Sequence, residues 1–293
     1  MVLCGPSGRK SSKTMKRRLG LLLTLLLAAG WTACAMARTT GSAPEGTEAP
    51  AKAPGVTRLV TYNVGVFNKY IRDDYRLVAD MMREIGADAV CLNELDSCAV
   101  RTRGVFQLER VAGLMGGWDF CYGPAMPFQG GAYGEGVMTR EPAVRKFFVP
   151  LPQAGGAEPR VLAVVELPRF VIATTHLDHV SAEAQVEQVR EINRVMRERY
   201  GRSAKPVFLG GDLNAEPGSE TLRELRRAWR VLSGTDAGTY PSDGPTVCID
   251  YFLQLDNGVA CDVVDARVLD RFRAGDVSGA SDHLPVMLDI KLE

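Results

Sequence analysis

The chain has 293 residues, 46% hydrophobic and 24% charged, with 35 basic and 35 acidic side chains. That length holds one large domain or two small ones. The even balance hides an asymmetry: residues 1–37 carry six basic side chains and no acidic one, whereas Val56–Glu293 carry 27 basic and 33 acidic. A folded part with net charge near −6 is not built to hold nucleic acid tightly on bulk charge.

Lys16, Arg17 and Arg18 precede an apolar run, Leu19–Trp31, which falls short of the roughly 20 residues that a helix needs to cross a bilayer. The segment reads as a signal peptide spanning residues 1–34, with Met15 the better-placed start. The run ends in Thr32-Ala33-Cys34, which resembles the processing site of a bacterial lipoprotein, although Trp31 stands where an aliphatic residue is usual. A lipid on Cys34 and export to the cell envelope are the expectation. Cleavage at a small-x-small site such as Ala35-Met36-Ala37, or an uncleaved anchor, are the alternatives. Residues 35–55 offer almost nothing to bury and read as a disordered tether.

Beyond Val56, short apolar runs alternate with helical patterns. Strands are predicted at Arg58–Tyr62, Ala89–Leu92, Asp119–Tyr122, Gly136–Thr139, Val144–Val149, Val161–Leu167, Val171–Thr175, Val207–Gly210, Ile249–Leu253 and Val286–Ile290. Leu77, Val78, Met81, Met82 and Ile85 make one face of a helix over Asp74–Ile85 that Gly86 stops. A second stripe predicts a helix over Ala182–Tyr200, and a third helix is expected at about Glu220–Trp229. Many strands with a few interposed helices predict two packed sheets covered by helices, one α/β domain over 56–293. Of seven cysteines, Cys91, Cys98, Cys121, Cys248 and Cys261 lie in this part and show no C-x-x-C spacing. That argues against zinc or redox chemistry. Cys248 with Cys261, expected on neighbouring strands, is the first candidate for a disulfide.

Polar motifs fall at the strand ends. Asn63 closes the first strand and can offer an amide oxygen to a hard cation or an amide donor to a phosphate; a turn residue is the plain alternative. Glu94 follows the buried strand Ala89–Leu92, a natural place for a Mg²⁺ ligand. Two of the three histidines sit in Thr175-His176-Leu177-Asp178-His179 directly after an apolar strand, where His176 can move a proton or touch a phosphoryl oxygen. In Gly210-Gly211-Asp212-Leu213-Asn214, the glycines permit close approach, Asp212 can deprotonate a water and Asn214 can hold it. Asp250 is an acid in an otherwise apolar strand, so it needs a partner, and a histidine, His283 or His176, is the obvious one. Ser281-Asp282-His283 brings a carboxylate and an imidazole together at the start of the last strand.

In this order, these motifs resemble the endonuclease/exonuclease/phosphatase superfamily, the DNase I-like fold, and lean toward a bacterial branch of exported metal-dependent hydrolases. The resemblance implies a four-layered α/β/β/α sandwich. It implies that Asn63, Glu94 and Asp282 gather round Mg²⁺ (or Mn²⁺), that Asp212 and Asn214 position the attacking water, and that His176 and His283 contact the scissile phosphate with Asp250 behind an imidazole. Glu135, in Tyr133-Gly134-Glu135-Gly136, departs from the small or amide residue expected there and is placed to touch His176. The function expected is an exported Mg²⁺-dependent phosphoesterase acting on a small-molecule, lipid or sugar phosphate. An exported nuclease is the main alternative, and a catalytically inactive surface-binding module the other; the signal peptide argues against a cytoplasmic DNA-repair nuclease. No protein partner is implied. Pro124–Gly134 and Leu151–Pro159 are expected to be loops over the cleft that carry specificity.

Overall fold

The computed structural model describes residues 46–67 and 74–292. The signal peptide, Met15, the lipidation candidate Cys34 and residues 35–45 of the tether lie outside the described residues.

The elements run β1 (Val56–Asn63), α1 (Tyr75–Ile85), β2 (Ala89–Ser97), α2 (Gln107–Leu114), β3 (Asp119–Phe128), β4 (Gly131–Thr139), β5 (Arg145–Leu151), β6 (Arg160–Glu166) and β7 (Val171–Thr175). Then follow α3 (Ala182–Tyr200), β8 (Val207–Asp212), α4 (Glu220–Leu225), β9 (Trp229–Val231), β10 (Asp250–Leu255), β11 (Asp262–Val268), α5 (Val277–Ala280) and β12 (Val286–Lys291). The strands form two six-stranded sheets, ordered β11-β12-β1-β2-β4-β3 and β5-β6-β7-β8-β10-β9. Each is mixed, with one parallel pair near its middle: β1 with β2, crossed by α1, and β7 with β8, crossed by α3. A parallel pair needs such a crossover, and the helix covers the sheet it serves.

Period-two alternation sorts the side chains into layers. Val60 and Tyr62 of β1 with Val90 and Leu92 of β2 face α1 and α2, packing on Val78, Met81, Met82, Ile85, Leu108 and Val111. Leu59, Ala89 and Cys91 point the other way, onto Val165, Ile172, Phe208 and Phe252 of the second sheet. The far face of that sheet meets α3 and α4 through Leu209, Leu253, Val189, Ile192 and Leu222. The predicted four-layered α/β/β/α sandwich is what forms.

Local signals end α1 as expected. Asp74 accepts from the Leu77 N–H (2.9 Å), and Gly86, at φ 75°, returns its N–H to Met82 and Arg83. Four expectations need correction. Pro124–Gly134 is a β-hairpin, because β3 runs to Phe128 and β4 starts at Gly131. The helix at Glu220 stops at Leu225, and Trp229, buried against α3 with its indole N–H on Asn193 (2.8 Å), opens β9. Cys248 and Cys261 belong to different core clusters, precede strands of different sheets, and are free thiols, like the other three described cysteines. Finally, residues 46–55 lie against the domain: Lys52 binds Asp88 (2.7 Å), and Pro50 gives its carbonyl to Arg58 (2.9 Å).

Arg58 ties three parts together. Its buried guanidinium makes two 2.6 Å bonds to Asp289 of β12, one to the Ile85 carbonyl at the end of α1, and the one to Pro50. Removing one member of such a pair leaves an uncompensated buried charge. Asp289→Ala is therefore expected to cost about 3–5 kcal/mol, read as a lower urea midpoint with an unchanged slope.

Candidate active site

The polar residues at the strand ends continue the inter-sheet face. Asn63 is two residues beyond Thr61 and four beyond Leu59, Asn93 two beyond Cys91, His176 four beyond Ile172, and Asp212 four beyond Phe208. Asp250 sits two before Phe252 on antiparallel β10, opposite Asp212. Parity along the strand alone sends these side chains into the seam between the sheets. They meet at one end of it, where a cleft of about 440 Å³ is lined by Glu94, His176, Asp212, Asn214, Asp282 and His283 among others. A larger groove, about 920 Å³, lies at β9 around Trp229, Arg230 and Asp256 and holds none of the predicted residues.

Asp212 is the hub. Its Oδ2 accepts from Asn63 Nδ2 (3.0 Å) and lies 3.4 Å from His176 Nε2 and 3.6 Å from His283 Nε2. Its Oδ1 accepts from the Asn214 N–H (2.9 Å). Burial, then the charge of Asp250, raise the Asp212 pKa, against the pull of His283. On the other side, His283 Nδ1 donates to Asp250 Oδ2 at 2.9 Å. Burial would favour the neutral ring, but Asp250, Asp212 and Asp282 outweigh it and raise the His283 pKa, so the ring is an imidazolium near neutral pH. Asp212, Asp250 and His283 stand close enough together to hold a metal ion. With Nδ1 donating to Asp250, the ring faces Asp212 through Nε2, the atom through which the trio would share a proton or, once deprotonated, hold an ion.

His176 is set differently. Asn214 Nδ2 donates to the Leu177 carbonyl (3.1 Å), which identifies it as the amide nitrogen, and also meets His176 Nε2 at 2.8 Å. Nε2 therefore accepts, and the neutral ring carries its proton on Nδ1, 3.9 Å from Glu135 Oε1. Glu135 is buried, which pushes its pKa up to about 8 against hydrogen bonds from Asn93 and the charge of Arg160.

Glu94 reaches the cleft through a bulge. Leu92 faces Gly136 and Leu95 faces Gly134, so β2 holds one residue more than its partner, and Glu94 takes φ 59°. A bulge re-aims a side chain without ending the strand. Glu94 Oε1 accepts from Asn63 Nδ2 (3.1 Å), while Asn63 Oδ1 accepts from the Gly65 N–H (3.0 Å). Asn63 thus uses its amide nitrogen to hold Glu94 and Asp212 together. Glu94 and Asp282 both line the same cleft, and carboxylate donors suit a hard divalent cation such as Mg²⁺.

Sequence reasoning passed over Asn93. Wholly buried, its amide donates to Glu135 Oε2 (2.8 Å), the Thr175 carbonyl (3.1 Å) and Thr174 Oγ1 (3.3 Å), and accepts the Asp212 N–H (3.0 Å). Its position two residues after Cys91, on the inter-sheet face, was the available signal. The two glycines before Asp212 are required by the fold. A Cβ on Gly211 would meet the Thr175 carbonyl at 2.0 Å, and one on Gly210 would meet Phe252 at 2.7 Å. Thr239-Tyr240 and Ser281 buttress the His283 side. Thr239 Oγ1 accepts the Asp250 N–H (3.2 Å), the Tyr240 ring lies 5.0 Å from the imidazole, and Ser281 Oγ donates to the Asn63 carbonyl (2.6 Å). Asp178 is structural. Burial opposes its ionisation, yet N–H groups of Ser181, Val180 and Ala157 win and hold its pKa below the usual range, pinning the 152–159 loop to the end of β7.

Residues 60–283 match the family described as the Endonuclease/Exonuclease/phosphatase family. Among solved structures, a mannosyl-6-phosphatase from Bacteroides thetaiotaomicron superposes with a TM-score of 0.65 at 16% identity, covering 80% of this chain and 99% of its own. An endonuclease/exonuclease/phosphatase from Beutenbergia cavernae gives 0.63 at 26% identity, covering 81% and 72%. Truncated Caenorhabditis elegans TDP2 gives 0.63 at 16%, covering 80% and 97%. No curated protein matches the sequence.

The His283–Asp250 bond has a direct signature. A downfield imidazole N–H proton resonance is expected at neutral pH and should vanish in Asp250→Asn; its persistence there would show that Asp250 does not hold the ring.

Proposed function

Starting from the fact that the chain belongs to the endonuclease/exonuclease/phosphatase family, whose members hydrolyse phosphoesters, we propose that it is an exported, Mg²⁺-dependent phosphoesterase of small-molecule, lipid or sugar phosphates. The observation that carries this reading is Asp212, buried, held by Asn63, and within 3.6 Å of the Nε2 atoms of both His176 and His283.

In the proposed reaction a water oxygen attacks phosphorus in line with the ester oxygen, a P–O bond forms and the ester P–O bond breaks. Asp212 takes the proton from the attacking water, and Asn214 orients that water. His283, kept protonated by Asp250, donates to a phosphoryl oxygen, and His176, once it takes a second proton on Nε2 with Glu135 behind Nδ1, binds the phosphate from the other side. The leaving oxygen takes a proton from solvent and departs as the alcohol, and Asp212 releases the proton of the attacking water to solvent. A divalent cation bound by Glu94 and Asp282, with Asn63 orienting Glu94, would supply charge neutralisation at the phosphate. Positioning and fixed charge carry most of the work in such chemistry.

Export rests on Lys16-Arg17-Arg18, the apolar run Leu19–Trp31 and Cys34, the proposed lipid attachment point. No helix among the described residues is long and apolar enough to cross a membrane. A mannosyl-6-phosphatase among the structural neighbours is compatible with a sugar phosphate, and its name selects no substrate for this chain.

The test is turnover with Mg²⁺ or EDTA on p-nitrophenyl phosphate, bis-p-nitrophenyl phosphate, a sugar phosphate, sphingomyelin, plasmid DNA and RNA. Mg²⁺-dependent hydrolysis is expected, with Asp212→Ala and His283→Ala each losing about 10²–10⁴-fold in kcat. Cleavage of DNA or RNA alone would favour the nuclease, and silence across the panel from folded protein would favour the binding module. Calorimetric Mg²⁺ binding should weaken in Glu94→Gln and Asp282→Asn; unchanged affinity in both would remove them from the metal site.

A further inference from the structure

Two guanidinium groups are buried among the described residues, and they are treated differently. Arg58 has every side-chain nitrogen bonded, two of them on Asp289. Arg160, at the start of β6 and also 1% exposed at its side chain, has no buried carboxylate within ion-pair distance among the described residues. Its Nη2 donates to His179 Nδ1 (3.0 Å) and lies 3.4 Å from Glu158, whose own side chain is 37% exposed. Nε and Nη1 have no hydrogen-bond partner among the described residues. A buried guanidinium in that state costs stability, since desolvation is not repaid by a well-made pair.

The place where that cost is carried is informative. Glu158, Arg160 and His179 all line the cleft that holds His176, Asp212 and His283, and the Arg160 charge reaches Glu135, which stands behind His176. A guanidinium has donors only, so Nδ1 of His179 accepts and the neutral ring keeps its N–H on Nε2. Arg160 and His179 together therefore present positive charge and donors to the cleft. Glu158 belongs to the 152–159 loop, which Asp178 holds in place through the Ala157 N–H (2.7 Å). Its half-exposed carboxylate is a weak partner for Nη2, and an anion of higher charge density can take its place.

We propose that Arg160 and His179 form an oxyanion subsite that selects terminal phosphates, the phosphate of a phosphomonoester displacing Glu158 from Nη2. The proposal rests on the phosphoesterase reading and names its substrate class. Near pH 7 a phosphomonoester carries a charge of about −1.5 to −2 and three acceptor oxygens. A diester has one free oxygen fewer and about half that charge, so it gains less from an additional guanidinium.

The test uses the purified full-length chain with Mg²⁺. Calorimetry measures inorganic phosphate binding to the wild type, Arg160→Met, His179→Ala, Glu158→Gln and Asp212→Asn. Steady-state kinetics compare p-nitrophenyl phosphate with bis-p-nitrophenyl phosphate. Arg160→Met is expected to weaken phosphate binding, and to raise KM for the monoester, by about 10- to 100-fold, with less than about a threefold effect on the diester and no fall in Tm. His179→Ala should weaken phosphate about threefold, and Glu158→Gln should tighten it by about two- to fivefold. Equal phosphate affinity in Arg160→Met and wild type, equal losses on mono- and diester, or no phosphate binding by the wild type would overturn the proposal. Should Arg160→Met not fold, unchanged affinity in both other variants would do so. Arg160-dependent phosphate binding without turnover of any ester would refute the phosphoesterase reading and leave the subsite standing, and turnover with Arg160-independent binding would do the reverse.

Discussion

One buried amide sets the geometry on which the site depends. Asn93 leaves the first sheet and bonds the Thr175 carbonyl, Thr174 Oγ1 and the Asp212 N–H of the second, while also holding Glu135. Hydrogen bonds are directional in a way that apolar contact is not. The inter-sheet core of Leu59, Cys91, Ile172, Phe208 and Phe252 supplies the attraction between the layers, but a hydrophobic face tolerates small slips. Asn93 removes that freedom at the end of the seam where Asp212 and His176 lie. The glycines support the same close approach, since Gly211 admits the Thr175 carbonyl and Gly210 the Phe252 ring.

The seam changes character along its length. In its middle it is apolar; at its end the same strand faces carry Asn63, Asn93, His176, Asp212 and Asp250, all buried. Each such group is costly unless bonded, and the network meets most of that cost. The His283 imidazolium lies between Asp250 and Asp212, Asn63 lies between Glu94 and Asp212, and Thr239 and Ser281 hold the backbone behind them. Low dielectric surroundings strengthen these contacts and make the array rigid, which is what a site built on positioning needs. Arg160 stands apart because, among the described residues, two of its guanidinium nitrogens have no hydrogen-bond partner beside the same cleft.

Much of this was legible in the residues. Strand runs such as Val171–Thr175 and the helix over Asp74–Ile85, with its Asp74 cap and Gly86 stop, carry their periodicity openly. The motif residues Asn63, Glu94, His176, Asp212, Asn214, Asp282 and His283 were readable because polar groups followed apolar strands, and the structure brings them to one cleft edge with Asp250 directly behind His283. What escaped was long-range in origin. Strand β11 is an exposed edge whose pairing is dictated by β12, and β9 is three residues long and held by β10. The 124–134 hairpin was hidden by its Pro and Gly content, which local rules assign to loops. The Cys248–Cys261 expectation failed because adjacency in sequence said nothing of which sheet each neighbourhood joins. Asn93 and Arg160 owe their roles to partners 119 and 19 residues away, which no local pattern reveals.

In the proposed reaction the Asp212 cluster directs a water molecule onto phosphorus. Hydrolysis of a phosphoester in ¹⁸O-labelled water, followed by mass spectrometry of both products, tests it most directly. ¹⁸O is expected in the phosphoryl product and none in the released alcohol, with no labelled product above background from Asp212→Ala. Label in the alcohol, or equal labelled phosphate from the variant, would contradict it.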